Sequence, residues 1–436
     1  MTLDHLFRQV LRFVAVAGVV IGCGAVETCW SQTTKAKGKA SARKSNDLEG
    51  ELAKYVAPLT GEESPIAVGK RVTVALSSGK ILAECEVTEA LLGKDDETFK
   101  FLSVQDSDGK KKQKLASSAI ARIRSGEHDY DVLLDPGKKG HVLLDVTRRD
   151  RDINERLKAS RNRLWDDPTD EERSKTIAEY KEFLQKVQAS YQFPLRLYET
   201  KFFMVLSDIP PAQVAPYVAS LDAMYSKLSS AFGVPKDKNI WLGKCMVLAF
   251  LNEESFHAFE RTFMKNSDTQ GAQGLHHSAS DGRAIISCYR GNNPSYFAVV
   301  LVHETAHGFL HRLRSSVYIP PWINEGVADW VAGAIVTQSK AVTERQKEGV
   351  DLLRQTGSLG VNFFDERANL QPWQYGIASN LTNFMLQIDA GRYRMFILGI
   401  KDGFTPEEAL NRAYGMTPAE LIAQYGRSIG INGIRP

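Results

Sequence analysis

Val302-His303-Glu304-Thr305-Ala306-His307, followed by Trp322-Ile323-Asn324-Glu325-Gly326-Val327-Ala328-Asp329-Trp330, is the part of the chain around which the rest can be placed. His303 and His307 are four residues apart. On an α-helix that spacing puts both imidazoles on one face, one turn apart, close enough to bind one zinc ion at about 2.0–2.1 Å each. The helix itself follows from the flanking residues. Asn293 suits an N-cap and Pro294 the first helical position, and no proline interrupts the run from Tyr296 to Leu313. Glu304 lies about 100° round the helix from His303. It therefore flanks the imidazoles without ligating, where a general base for a water molecule belongs.

A catalytic zinc takes three protein ligands and keeps one open position. His311 is one candidate for the third, but it stands eight residues from His303, roughly 12 Å along a straight helix. The metzincin pattern also fails, because Gly308 directly follows His307 and His311 is at plus four. Glu325 is the better candidate. Pro320 and Pro321 break the chain, Pro321 can open a second helix, and Trp322 to Val336 is apolar enough to pack on the first. Asp329, one turn after Glu325, can accept from the outer N–H of a ligating histidine and fix its tautomer.

With these residues in place the chain resembles the gluzincins, the thermolysin-like and aminopeptidase-N-like zinc peptidases that carry HExxH and a later glutamate. Asn324-Glu325-Gly326-x-Ala328 is similar to their NEGxA. Seventeen residues, 308 to 324, separate His307 from Glu325, one fewer than in the aminopeptidase branch. The resemblance covers residues 195–436. It implies zinc bound by His303, His307 and Glu325, and amide hydrolysis by water activated at the zinc with Glu304 as general base. It also implies that Arg283 to Tyr289, just before the metal helix, is a sheet-edge strand that pairs with an extended peptide. In the aminopeptidase-N-like branch a tyrosine opening a later helix steadies the oxyanion. Tyr375, in Tyr375-Gly376-Ile377-Ala378-Ser379, matches that residue in type, fifty residues after Glu325 and closer than the branch has it. The other reading of Tyr375 is an aromatic at the edge of the core.

The remaining sequence frames this half. At 436 residues the chain has room for two or three domains, and a net charge of +3 gives no case for nucleic acid. Arg8 and Arg12 precede an apolar stretch from Phe13 to Val26, the pattern of an export signal over residues 1–32. Val20-Ile21-Gly22-Cys23 is similar to a lipobox, which would lipidate Cys23 and attach the protein to a membrane. Ordinary cleavage near Gln32 and a short retained anchor are the alternatives. The exported product would be periplasmic, cell-surface or secreted. Residues 33–56 are expected to be a polar linker.

Short alternating strands at Arg71–Leu76, Ile81–Leu91, Thr98–Val104, Gln113–Ile123, Tyr130–Leu134 and His141–Val146 predict a small antiparallel β-barrel, Src-homology-3-like, over residues 57–146. Lys110, Lys111, Lys112 and Lys114 fit a solvated hairpin tip. Residues 147–192 predict two helices broken at Asp167-Pro168, a helical connector. The fold class is thus α+β, with the gluzincin-like domain a sheet on the HExxH helix plus an all-helical tail. In that domain Gly271 to Gly282 is small and polar and is expected as a loop on the cleft rim, its His276 and His277 either touching substrate or solvent-exposed. Thr405-Pro406-Glu407-Glu408 and Thr417-Pro418-Ala419-Glu420 are capping boxes. Cys85, Cys245 and Cys288 make no disulfide framework. Cys245 and Cys288 would pair only if their strands are neighbours, and buried free thiols are the other reading.

Together these features predict an exported zinc metallopeptidase acting on peptides or proteins. The aminopeptidase signature Gly-x-Met-x-Asn is not found before the metal helix, where Asp281-Gly282-Arg283-Ala284 stands, so an endopeptidase is favoured. The rival readings are an inactive peptidase fold used for binding and a zinc hydrolase of a non-peptide amide.

Overall fold

The computed structural model describes residues 52–435 apart from Asp95, Pro136, Gly137, Lys139 and Val361. The expected export signal with Cys23, Cys29 and most of the expected linker lie outside the described residues. The chain divides into two compact units that meet between Arg156 and Leu157.

The N-terminal unit is a seven-stranded antiparallel sheet. Its strands are β1 (Arg71–Leu76), β2 (Ile81–Leu92), β3 (Phe99–Gln105), β4 (Lys112–Ala116), β5 (Ile120–Ser125), β6 (His128–Asp135) and β7 (Gly140–Asp145). They run in the order β2-β1-β5-β6-β7-β3-β4, and β2 also pairs with β3. Alternation puts Val72, Val74, Val87, Leu102, Ile123 and Leu143 inside. The strand expected over Gln113–Ile123 is two strands. Ser117–Ala119 forms a 3₁₀ turn between them, and the Ser117 hydroxyl bonds His141 Nδ1 at 2.9 Å. The break lets β4 pair with β3 while β5 pairs with β1 and β6. The lysine-rich segment is an exposed hairpin tip, closed by Asp106 accepting from the backbone N–H groups of Lys110 and Lys111.

Helix α1 (Val146–Ala159) is followed by α2 (Asp170–Ala189), with the break at Asp167-Pro168 as expected. Thr169 and Glu172 form a capping box at the start of α2. Its apolar face, Tyr180, Phe183, Leu184 and Val187, packs on Met204, Leu206, Met246 and Leu248, so α2 is part of the C-terminal unit's core.

That unit holds a five-stranded mixed sheet in the order β11-β12-β10-β9-β8. The strands are β8 (Arg196–Glu199), β9 (Phe203–Ser207), β10 (Cys245–Phe250), β11 (Gly274–Ser278) and β12 (Ala284–Tyr289). β9, β10 and β12 are parallel and apolar except for Ser207, Ser287 and Tyr289, as strands buried on both faces should be. Helix α3 (Pro211–Phe232) precedes β10 and α4 (Glu253–Phe259) follows it. Then come α5 (Pro294–Arg312), α6 (Pro321–Ile335), α7 (Ala341–Thr356), α8 (Pro372–Ile388), α9 (Ala390–Lys401), α10 (Pro406–Tyr414) and α11 (Pro418–Ser428). Both predicted capping boxes of the tail are formed.

One expectation is corrected here. The strand at Arg283–Tyr289 is internal, and the sheet edge is β11, inside the stretch expected as a loop. Pairing with β12, Leu275 opposite Ser287 and His276 opposite Ile286, outweighs the poor strand propensity of Gly274 and the polar residues after it. For the cysteines, the buried-thiol reading holds. β10 and β12 are neighbours, but Cys288 stands opposite Ala249, about 13 Å along the strand from Cys245 at roughly 3.3 Å per residue. Both remain buried free thiols.

Candidate metal centre

Helix α5 begins as its sequence dictates, with Asn293 Oδ1 accepting from Tyr296 N at 3.0 Å and Pro294 in the first turn. Its apolar side, including Val302, Ala306, Phe309 and Leu310, is core. His303 and His307 lie together on the flank next to it, largely buried. Their ring centroids are 4.7 Å apart and their Nε2 atoms 3.1 Å apart.

Glu325 arrives from α6. Pro321 opens that helix and Gly326 lets it lie directly on α8, since a Cβ there would stand 2.3 Å from Thr382 Oγ1 and 2.7 Å from the Ala378 carbonyl oxygen. Glu325 is 2% exposed, and its Oε2 lies 3.1 Å from His303 Nε2 and 3.5 Å from His307 Nε2. The three donor atoms form a triangle with edges of 3.1, 3.1 and 3.5 Å. A tetrahedral zinc with ligands at 2.0–2.1 Å needs donor separations of about 3.3–3.4 Å. Two imidazoles and one carboxylate are also a donor set that zinc takes in catalytic sites. The residues present fit a zinc ion, and they leave its fourth corner to a non-protein ligand.

The three donors and Asp329 shift one another's ionisation. Burial disfavours the charged form of His303, yet the hydrogen bonds to Asp329 and Glu325 outweigh it and raise its pKa well above the usual range. Burial would raise Glu325, but His307 and His303 hold its carboxyl far below the ordinary value. Asp329 does what its position predicts: its Oδ1 is 2.9 Å from His303 Nδ1. Arg345 of α7 completes the chain, with Nη1 2.7 and 2.8 Å from the two Asp329 oxygens. Among the described residues the buried Nδ1 of His307 has no hydrogen-bond partner.

Glu304 is half-buried beside the imidazoles and makes no part of the triangle. Burial raises its pKa, opposed by His303 and His307, which moves it toward the range a general base needs. Its side chain lies against β11: a Cβ on Gly274 would stand 2.8 Å from Glu304 Cγ and 2.7 Å from Val300 Cγ1. Tyr375 sits in the first turn of α8, 8% exposed. Burial, then the carboxylates of Glu325 and Glu304, push its phenol above the ordinary value, so it remains a proton donor in hydrogen bonds.

The other histidines are sorted by the fold. His311 is no ligand. Its Nε2 faces the Ala279 carbonyl at 3.2 Å and its ring meets the Trp165 edge, while burial, then Lys401, lowers its pKa to about 4. His276 and His277 are half-buried on β11 and do not hang in an exposed loop. His276 lies 6.0 Å from His307 and 6.3 Å from His311 between ring centroids. His277 is turned to Glu260 at 3.0 Å, as strand alternation requires. Sequence reasoning missed Gly274 and Arg345. A glycine in a strand that admits a close neighbour was the only available signal.

The chain matches no protein-family model and no curated protein sequence.

Proposed function

We propose that this protein is a gluzincin-type zinc peptidase that cuts peptide bonds by hydrolysis. The observation that carries this reading is the convergence of His303 Nε2, His307 Nε2 and Glu325 Oε2 within 4.8 Å of one another, with Glu304 beside them and outside the ligand set. When bound, zinc supplies Lewis-acid polarisation of a carbonyl and a lowered pKa for water. His303, His307 and Glu325 would hold it, and Asp329 keeps the His303 Nδ1 hydrogen turned away from it. Glu304 takes a proton from the attacking water and returns it to the leaving amine. Tyr375 donates a hydrogen bond to the oxygen on which negative charge develops.

The edge strand supports a peptide as substrate. Among the described residues β11 pairs only with β12, so its other edge offers N–H and C=O groups to an extended chain. Gly274-Leu275-His276-His277-Ser278 carries no acidic side chain to take a free α-amine, which favours internal cleavage. In the N-terminal unit, the pairing of β2 with both β1 and β3 supports a small barrel module. Arg8, Arg12 and the apolar run after them support export.

Casein digestion tests the reading. The zinc-loaded protein is expected to degrade casein, to lose that activity to a chelator and to regain it with added zinc. Degradation that proceeds unchanged in chelator would contradict it.

A further inference from the structure

We propose that Arg345 is a positioning residue for the metal centre, acting through Asp329 to aim His303; this rests on the zinc reading above. Arg345 offers no ligand and lies on α7, a helix that carries none of the three donors. Its Nη1 meets both oxygens of Asp329, at 2.7 and 2.8 Å. Asp329 in turn meets His303 Nδ1 at 2.9 Å and is 0% exposed.

The need for Arg345 comes from coordination chemistry. A ligating imidazole is neutral, with its Nε2 lone pair given to the metal and its Nδ1 hydrogen donated to a neighbour. Once His303 ligates, it brings no charge to balance the buried Asp329 carboxylate. An unpaired buried carboxylate is costly. Among the described residues the ion pairs of Asp329 are with His303 and Arg345, so Arg345 is the partner that remains. It lets Asp329 stay anionic and fixed while His303 turns its lone pair inward.

The placement of Arg345 is built into the backbone. A Cβ on Gly376 would stand 2.0 Å from the Arg345 carbonyl oxygen, and one on Gly349 would stand 2.7 Å from that of Trp373. Helices α7 and α8 therefore touch main chain to main chain at Arg345. Tyr375 precedes Gly376, so a single crossing sets both the Arg345–Asp329–His303 chain and the position of Tyr375.

The test is zinc affinity, measured by competition with a chromogenic chelator on the full chain, with thermal melting of the metal-free proteins as the folding control. Arg345→Met is expected to weaken zinc binding about 10- to 100-fold. Arg345→Lys should recover most of the loss, because one nitrogen makes both contacts. In an Asp329→Asn background Arg345→Met should cost little more, which a merely structural role would not produce. A folded Arg345→Met protein that binds zinc within about twofold of wild type overturns the proposal, as do fully additive losses in the double mutant. If Arg345→Met does not fold, Arg345→Gln decides by the same criterion. A wild type that binds zinc but cleaves no peptide overturns the peptidase reading alone, and the affinity comparison still decides this one. A wild type that binds no zinc overturns both.

Discussion

The Glu304 side chain lies so close to the backbone of Gly274 that a Cβ there would come within 2.8 Å of Glu304 Cγ. Val300 closes the same space at 2.7 Å, so Glu304 has no easy retreat along that side. Gly274→Ala is therefore expected to displace Glu304, the proposed base, while leaving the three donors in place. The expected result is a fall in kcat of roughly ten- to a hundredfold with KM and zinc content little changed. Steady-state kinetics on a cleavable peptide, with zinc analysis of the same preparation, checks it.

Glu325 is the only anionic donor of the triangle and is almost wholly buried. Glu325→Ala removes one of the three proposed ligands and should abolish stoichiometric zinc binding at neutral pH. Metal analysis after gel filtration measures this, and an unchanged content of one zinc per chain would refute the ligand.

Tyr375 keeps its proton because burial and the nearby Glu325 and Glu304 hold its pKa high. Tyr375→Phe deletes only the donor. The expected loss is roughly 10²–10³-fold in kcat, with a melting temperature close to wild type. A full-length protein with unchanged kcat would return Tyr375 to the role of a core-edge aromatic.

Lys401 is wholly buried, donates to the carbonyls of Val317 and His311 at 2.8 and 3.4 Å, and has its pKa lowered to about 7 by burial and by Arg312. The unfolded chain keeps a lysine pKa of about 10.4. Between those values the unfolded state binds more protons, so this residue makes stability rise with pH through that window. Below about pH 7 the penalty for burying the charge is present in full. From pH 7 to pH 9 it should be relieved by about 2 kcal/mol. Urea denaturation of wild type and Lys401→Met at both pH values should show this rise only in the former.

The site was more legible than the fold around it. The four-residue spacing of the histidines, the Asn293-Pro294 start and the Pro320-Pro321 break are local signals, and each determined a helix that the structure contains. Placing Glu325 and Asp329 on the correct flank needed only the helical period applied from Pro321. What escaped was set by distant pairing. β11 has too little strand propensity to announce itself, and exists because β12 supplies its ladder. Arg345 looks like any charged residue on an amphipathic helix until Gly376 brings α8 against its backbone. Ser117–Ala119 interrupts a strand for a topological reason, since β4 and β5 serve different neighbours.

The proposed peptidase activity requires His303, His307 and Glu325 to hold zinc and Glu304 to act as the base. Mass-spectrometric digestion of a peptide library by the zinc-loaded protein, in parallel with Glu304→Gln, tests it most directly. The expected result is cleavage at internal bonds by the wild type, silenced by chelation, and at least about a hundredfold slower in a Glu304→Gln protein that still carries its zinc. Cleavage at full rate by Glu304→Gln, or no cleavage by a wild type loaded with one zinc per chain, would contradict it.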